Sequence, residues 1–177
     1  LETNTRHQPL VIQVILLDIE GTTCPVDFVA KTLFPYAQAH LNQTLAREKD
    51  ELRMTNIIQE AINEWQKDLD PTCQKLLAKT NQFPPSNAQV AEYLQQLIKS
   101  DRKSTALKDL QGMIWKQGYE SSELTTPLFA DVLPSLDAWI QRGMTLSVYS
   151  SGSVQAQKLL YGHTNQGDIS DRFSHWF

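Results

Sequence analysis

Residues Val14 to Thr23 read V-I-L-L-D-I-E-G-T-T, and they constrain the fold more than any other stretch of the chain. Val11, Ile12, Val14, Ile15, Leu16 and Leu17 make the apolar run of a strand buried on both faces. A strand of that kind belongs to a parallel sheet. The run stops on Asp18; Glu20 follows two positions later, then Gly21, Thr22 and Thr23. A carboxylate where such a strand stops lies at the C-terminal edge of the sheet, the edge at which open α/β folds bind ligands. Two acids one residue apart, at a turn where Gly21 lets the backbone approach closely, suit a phosphoryl group and its metal.

The texture changes after Pro25. Phe28, Leu33, Phe34, Ala37 and Leu41 suggest a helix, and Met54, Ile57, Ile58, Ala61, Ile62 and Trp65 form an amphipathic stripe. Asp70-Pro71 reads as a turn. Val90, Leu94, Leu97 and Ile98 form a second stripe, and Ala106, Leu107, Leu110, Met113 and Ile114 a third. Residues 26–125 therefore read as all-helical. The α/β texture then returns. Pro134, with Asp131 before it, opens a helix whose apolar face is Leu133, Leu136 and Ile140, and Gly143 ends it. Met144 to Tyr149 reads as a second strand running into Ser150, Ser151 and Gly152, followed by a helix from Val154 to Tyr161. The expected organisation is a discontinuous core, residues 10–25 and 126–177, interrupted by a helical insert at 26–125. An insert at that point is placed to act as a lid over the sheet's C-terminal edge.

Composition narrows the function. A chain of 177 residues that is 41% hydrophobic can bury a core, and its net charge of −4 argues against a nucleic-acid partner. No apolar run approaches the roughly 18 residues that span a bilayer, and Leu1–Pro9 is polar with no signal-peptide core, so no membrane association is expected. Cys24 and Cys73 form no C-x-x-C pair and read as reduced thiols of a cytoplasmic protein. The chain stops on the aromatic cluster Phe173 to Phe177, and the expectation is that part of the core is missing.

Asp18 can act as a nucleophile on phosphorus, because carboxylates form acyl-phosphate intermediates. Two anions repel, so a divalent cation, Mg²⁺ by its preference for oxygen, is expected between Asp18 and the phosphate. Glu20 can protonate the leaving oxygen and then activate water. Amides around Ile19 to Gly21, with Ser150 and Ser151, can hold the phosphate. Each element has a plainer reading. Asp18 can cap a turn, and Ser150 to Ser153 can be a turn feeding a helix N-cap. Asp101, Arg102, Lys103 and Lys108 read as solvated helix surface or, alternatively, as a substrate-facing cation patch.

The stretch Asp18 to Thr23 resembles the first motif, D-x-D-G-T, of the haloacid-dehalogenase-like superfamily of phosphatases. Glu20 in place of the second Asp makes it similar to the enolase-phosphatase (acireductone synthase) family within that group. Tyr149 to Val154, with Ala156 to Leu160 and Gly162-His163, resembles that family's second motif, and Asp101 to Lys108 with Leu110-Gln111-Gly112 resembles its insert signature. The resemblance implies a Rossmann-like parallel-sheet α/β core of the haloacid-dehalogenase type with an all-helical insert. It implies conversion of 2,3-diketo-5-methylthiopentyl-1-phosphate to the acireductone plus phosphate in methionine salvage, with one Mg²⁺ per subunit. It implies Asp18 as nucleophile and metal ligand, and Glu20 as acid/base that also binds the metal through its carbonyl. Gly21, Thr22, Ser150, Ser151 and Gly152 would contact the phosphate. A monomer is implied. The family carries a phosphate-binding lysine and an acidic metal motif beyond the position matching Phe177, so a chain of these residues alone is expected to bind Mg²⁺ poorly and turn over little. Two other readings stand beside this one: a related phosphatase acting on another small phosphate ester, and a non-catalytic fragment or binding module. A dehalogenase fits less well, since Glu20 has no task in displacing halide.

Overall fold

The computed structural model describes residues 13–47 and 52–177. The Leu1–Pro9 segment and the first two members of the apolar run, Val11 and Ile12, lie outside the described residues. Among those described, the elements in order are β1 (Val14–Leu17), a π-helical turn (Val29–Leu33) running into α1 (Phe34–Arg47), α2 (Leu52–Lys67), α3 (Pro71–Ala78), α4 (Asn87–Lys99), α5 (Thr105–Glu120), α6 (Val132–Gln141), β2 (Thr145–Val148), α7 (Val154–Gly162), a 3₁₀ turn (Ser170–Arg172) and β3 (His175–Trp176). They fall into two compact units. One takes the described residues up to Val26 together with Thr126–Phe177; the other is Asp27–Thr125.

The first unit is an α/β layer. Its sheet is parallel in the order β1-β2-β3, with Leu17 opposite Val148 and Val148 opposite Trp176. Ser153 caps α7, its hydroxyl accepting the Ala156 N–H at 3.3 Å. On one face Leu17, Leu146 and Val148 are buried, and Trp176 packs edge-on against Phe173 and tilted against Tyr161. The other side of β1 differs from expectation. Val14 is 56% and Leu16 57% exposed, so β1 is not buried on both faces. These exposures are those seen with the described residues alone. Ile140 of α6, expected in the apolar face, is also exposed, and Val132 with Leu136 does the packing instead.

The second unit is a helical bundle. The expected stripes are its interior: Met54, Ile57, Ala61 and Trp65 of α2 face Val90, Leu94 and Leu97 of α4 and Leu110 and Ile114 of α5. Trp65 stacks on Tyr93 at 4.9 Å and donates its indole N–H to the Cys73 carbonyl at 2.8 Å. Ser86 and Gln89 start α4 with a reciprocal capping box. Asp70-Pro71, read above as a turn, opens α3: Asp70 accepts the Thr72 and Cys73 amides, and proline occupies the first helical position. No helix among the described residues is long and apolar enough to cross a membrane.

Candidate active site

The strand that presents Asp18 ends because the chain turns sharply. The Ile19 carbonyl accepts N–H groups from Thr22 (3.2 Å), Thr23 (2.9 Å) and Cys24 (3.3 Å), and Gly21 donates to the Cys24 carbonyl at 2.8 Å with φ of 75°. That left-handed conformation is cheap only for glycine. The turn buries Ile19, Thr23 and Cys24 and leaves Asp18, Glu20, Gly21 and Thr22 exposed. Asp18 Oδ1 accepts its neighbour's amide, from Ile19, at 2.7 Å, which holds the carboxylate of an exposed residue. Most of the amides expected to form a cradle from Ile19 to Gly21 are engaged elsewhere. The Ile19 and Gly21 N–H groups are spent inside the turn, as is that of Thr22, because a turn this tight satisfies its own donors.

Strand pairing brings the second predicted segment alongside. With Leu17 opposite Val148 and the Tyr149 N–H on the Leu17 carbonyl at 2.8 Å, Asp18 and Tyr149 continue neighbouring strands at the same end of the sheet. Ser150, Ser151 and Gly152 follow at once. Ser150 is half-buried; Ser151 and Gly152 are exposed. Ser150 Oγ accepts the Gly152 N–H at 3.2 Å, and the Ser150 N–H donates to the Phe177 main-chain oxygen at 3.1 Å. The turn leads into the N-terminus of α7, whose partial positive charge favours an anion. The seven predicted site residues thus gather on two turns at one sheet edge.

Beneath these turns lies a polar layer that sequence reasoning missed. Thr23 and Tyr161 share a buried hydroxyl contact of 2.8 Å, and Thr23 Oγ1 also donates to the Ile19 carbonyl at 3.2 Å. Gln157, one helical turn before Tyr161, is buried as well. The available signal was their spacing: two polar-tipped side chains four apart on the inward face of α7. Burial pushes the Tyr161 hydroxyl up to about 12 and the Cys24 thiol up to about 11, with the charges of Glu20 and Asp18 adding to the rise at Cys24. Both groups stay neutral and serve as structure.

The donors present are of the kind Mg²⁺ takes: the Asp18 carboxylate and the Glu20 carbonyl are hard oxygens. Among the described residues no three or more His, Cys, Asp or Glu side chains are gathered for a metal. Two hard oxygens on one turn fit part of a Mg²⁺ coordination shell.

One member of the charged patch of the helical unit, Arg102, is committed within that unit. Arg102 pairs with buried Asp68 at 2.8 Å. Ser104 caps α5 and donates to Glu64, whose other oxygen accepts the Thr105 and Ala106 amides at 3.0 and 3.3 Å. Lys103 and Lys108 remain exposed.

No family model matches the chain. Among curated proteins, the enolase-phosphatase E1 of Synechococcus sp. (strain WH7803) is 54% identical over 168 residues, covering 94% of this chain and 69% of the relative. The enolase-phosphatase E1 of Parasynechococcus marenigrum (strain WH8102) is 51% identical over 164 residues, covering 92% and 67%. Among solved structures, the UTR4 protein of Saccharomyces cerevisiae matches with a TM-score of 0.68 and 30% identity, covering 94% of this chain and 67% of that one.

Proposed function

Because the chain belongs to the enolase-phosphatase E1 family, we propose that it is the Mg²⁺-dependent enzyme that turns 2,3-diketo-5-methylthiopentyl-1-phosphate into the acireductone and phosphate. The observation that carries this reading is the 54% identity to an enolase-phosphatase E1 across 94% of the chain. The site geometry agrees with it, since Asp18 and the Ser150–Gly152 turn continue adjacent parallel strands. Catalysis is assigned to the sheet-bearing unit, and the helical unit is read as the family's insert.

The Asp18 oxygen that does not hold the Ile19 amide attacks phosphorus in line, the P–O bond to the substrate breaks, and an aspartyl-phosphate forms. Glu20 gives its proton to the departing oxygen and then takes one from the water that cleaves the acyl phosphate. The hydroxyls of Ser150 and Ser151 and the Gly152 turn hold the phosphate oxygens, and the Thr22 hydroxyl offers a further donor. Asp18 and the Glu20 carbonyl would hold Mg²⁺, which when bound neutralises charge between carboxylate and phosphate. For the preceding enolisation, Glu20 is the carboxylate on this edge able to take the C–H proton.

The test follows both products, enol absorbance and orthophosphate. Asp18→Asn should remove phosphate release, while Glu20→Gln should lower kcat by roughly 10²–10⁴ with little change in phosphate affinity. Where the parent releases phosphate at a measurable rate, release by Asp18→Asn at that same rate would refute the mechanism. Release of phosphate without any enol intermediate would favour a phosphatase of other specificity.

A further inference from the structure

Gln157 has no part in the chemistry above, yet its placement is unusual. It sits on the first turn of α7, is 1% exposed, and reaches in two directions at once. Its Nε2 donates to the Gly152 carbonyl at 2.9 Å and to the Phe177 main-chain oxygen at 2.7 Å. That second acceptor also receives the Ser150 N–H at 3.1 Å, while the Phe177 N–H donates to Val148 at 2.9 Å. One side-chain amide therefore fastens the turn after β2 at Gly152 and, through a shared acceptor, at Ser150. Both acceptors are carbonyl-type oxygens, so the amide orientation is set: the nitrogen must face them. Among the described residues the buried amide oxygen has no hydrogen-bond partner. A buried orphan acceptor is unfavourable, and such groups persist where another contact requires them.

We propose that Gln157 is the positioning residue of the phosphate-binding turn: its nitrogen holds Ser150 and Gly152 in place against the end of β3, and the orphaned oxygen is tolerated for that purpose. This rests on the reading of Ser150–Gly152 as the phosphate site. Gln157 touches no reacting atom. It acts by keeping the turn ordered before substrate arrives, so the donors need no rearrangement when charge develops on the phosphate.

Amide exchange by NMR tests the positioning directly. In the parent protein the Gln157 side-chain N–H protons should exchange slowly. Gln157→Met keeps the volume, removes both bonds and also removes the orphaned oxygen, so the fold should survive with a melting temperature near the parent's. In that variant the Ser150 and Gly152 amides should exchange about tenfold faster, the worth of roughly one hydrogen bond, while Leu146 and Val148 stay unchanged. Orthophosphate, titrated with Mg²⁺ present, should bind about tenfold more weakly. Should the Met variant not fold, Gln157→Asn keeps the amide but is too short to span both acceptors, and the same local change is expected. Fast exchange of the parent's side-chain protons, an unaltered turn in the variant, or exchange rising uniformly through β2 and α7 overturns the positioning role. Orthophosphate that shifts neither the Ser151 nor the Gly152 amide of the parent protein overturns the phosphate reading of the turn, whatever the exchange rates are.

Discussion

Replacing Arg102 by Met should destabilise the helical unit more than replacing its partner Asp68 by Asn. The Asp68 side chain is 1% exposed, and it accepts Arg102 Nη1 at 2.8 Å on one oxygen and the Asp70 N–H at 2.9 Å on the other. Arg102 is 38% exposed. Breaking a fully buried pair by deleting one member costs about 3–5 kcal/mol. Here water can follow the vacated guanidinium, so about 2–3 kcal/mol is expected for Arg102→Met. Asp68→Asn leaves a guanidinium that can hydrate, and about 1–2 kcal/mol is expected. Urea unfolding read by tryptophan fluorescence, with an unchanged slope, measures both. The pH dependence adds a sign. Burial raises the Asp68 carboxyl, but Arg102 and the Asp70 N–H outweigh it and hold the group below the usual carboxylate range. Its contribution is therefore present above the unfolded value and fades as pH falls through the lowered folded one. Without Arg102, burial dominates and the folded value rises, so the variant's deficit should shrink between about pH 7 and pH 4. A larger loss for Asp68→Asn, or a deficit for Arg102→Met that ignores pH, would refute the account of this pair as a structural clamp.

Glu64→Ala strips acceptors from the Thr105 and Ala106 amides and from the Ser104 hydroxyl, so it should cost about 1–2 kcal/mol in urea unfolding and speed exchange in the first turn of α5. Burial, followed by nearby carboxylates, raises the Cys24 thiol to about 11 and the Cys73 thiol to about 12. At pH 8 iodoacetamide should therefore label both at least about a hundredfold more slowly in the folded protein than in denaturant, and equal rates would contradict their burial.

What the chain determined by itself was local. An apolar run halted by Asp18, Glu20 and Gly21, stripes such as Met54 to Trp65, and the Ser150–Gly152 turn before an N-cap are short-range patterns, and each is legible because its cause lies within a few residues. Asp70-Pro71 is equally local, but an N-cap followed by proline has the same composition as a turn, so the sequence alone does not separate the two. The register of β3 on β2, Ser147 opposite His175 and Val148 opposite Trp176, is set by a partner strand outside any local pattern. The pairing of Asp68 with Arg102 spans 34 residues and that of Thr23 with Tyr161 spans 138, so no spacing rule reaches them. Burial of Gln157 is likewise set by where other segments pass. Composition decides that a side chain wants a partner or a cover, but only the path of the folded backbone decides whether one arrives.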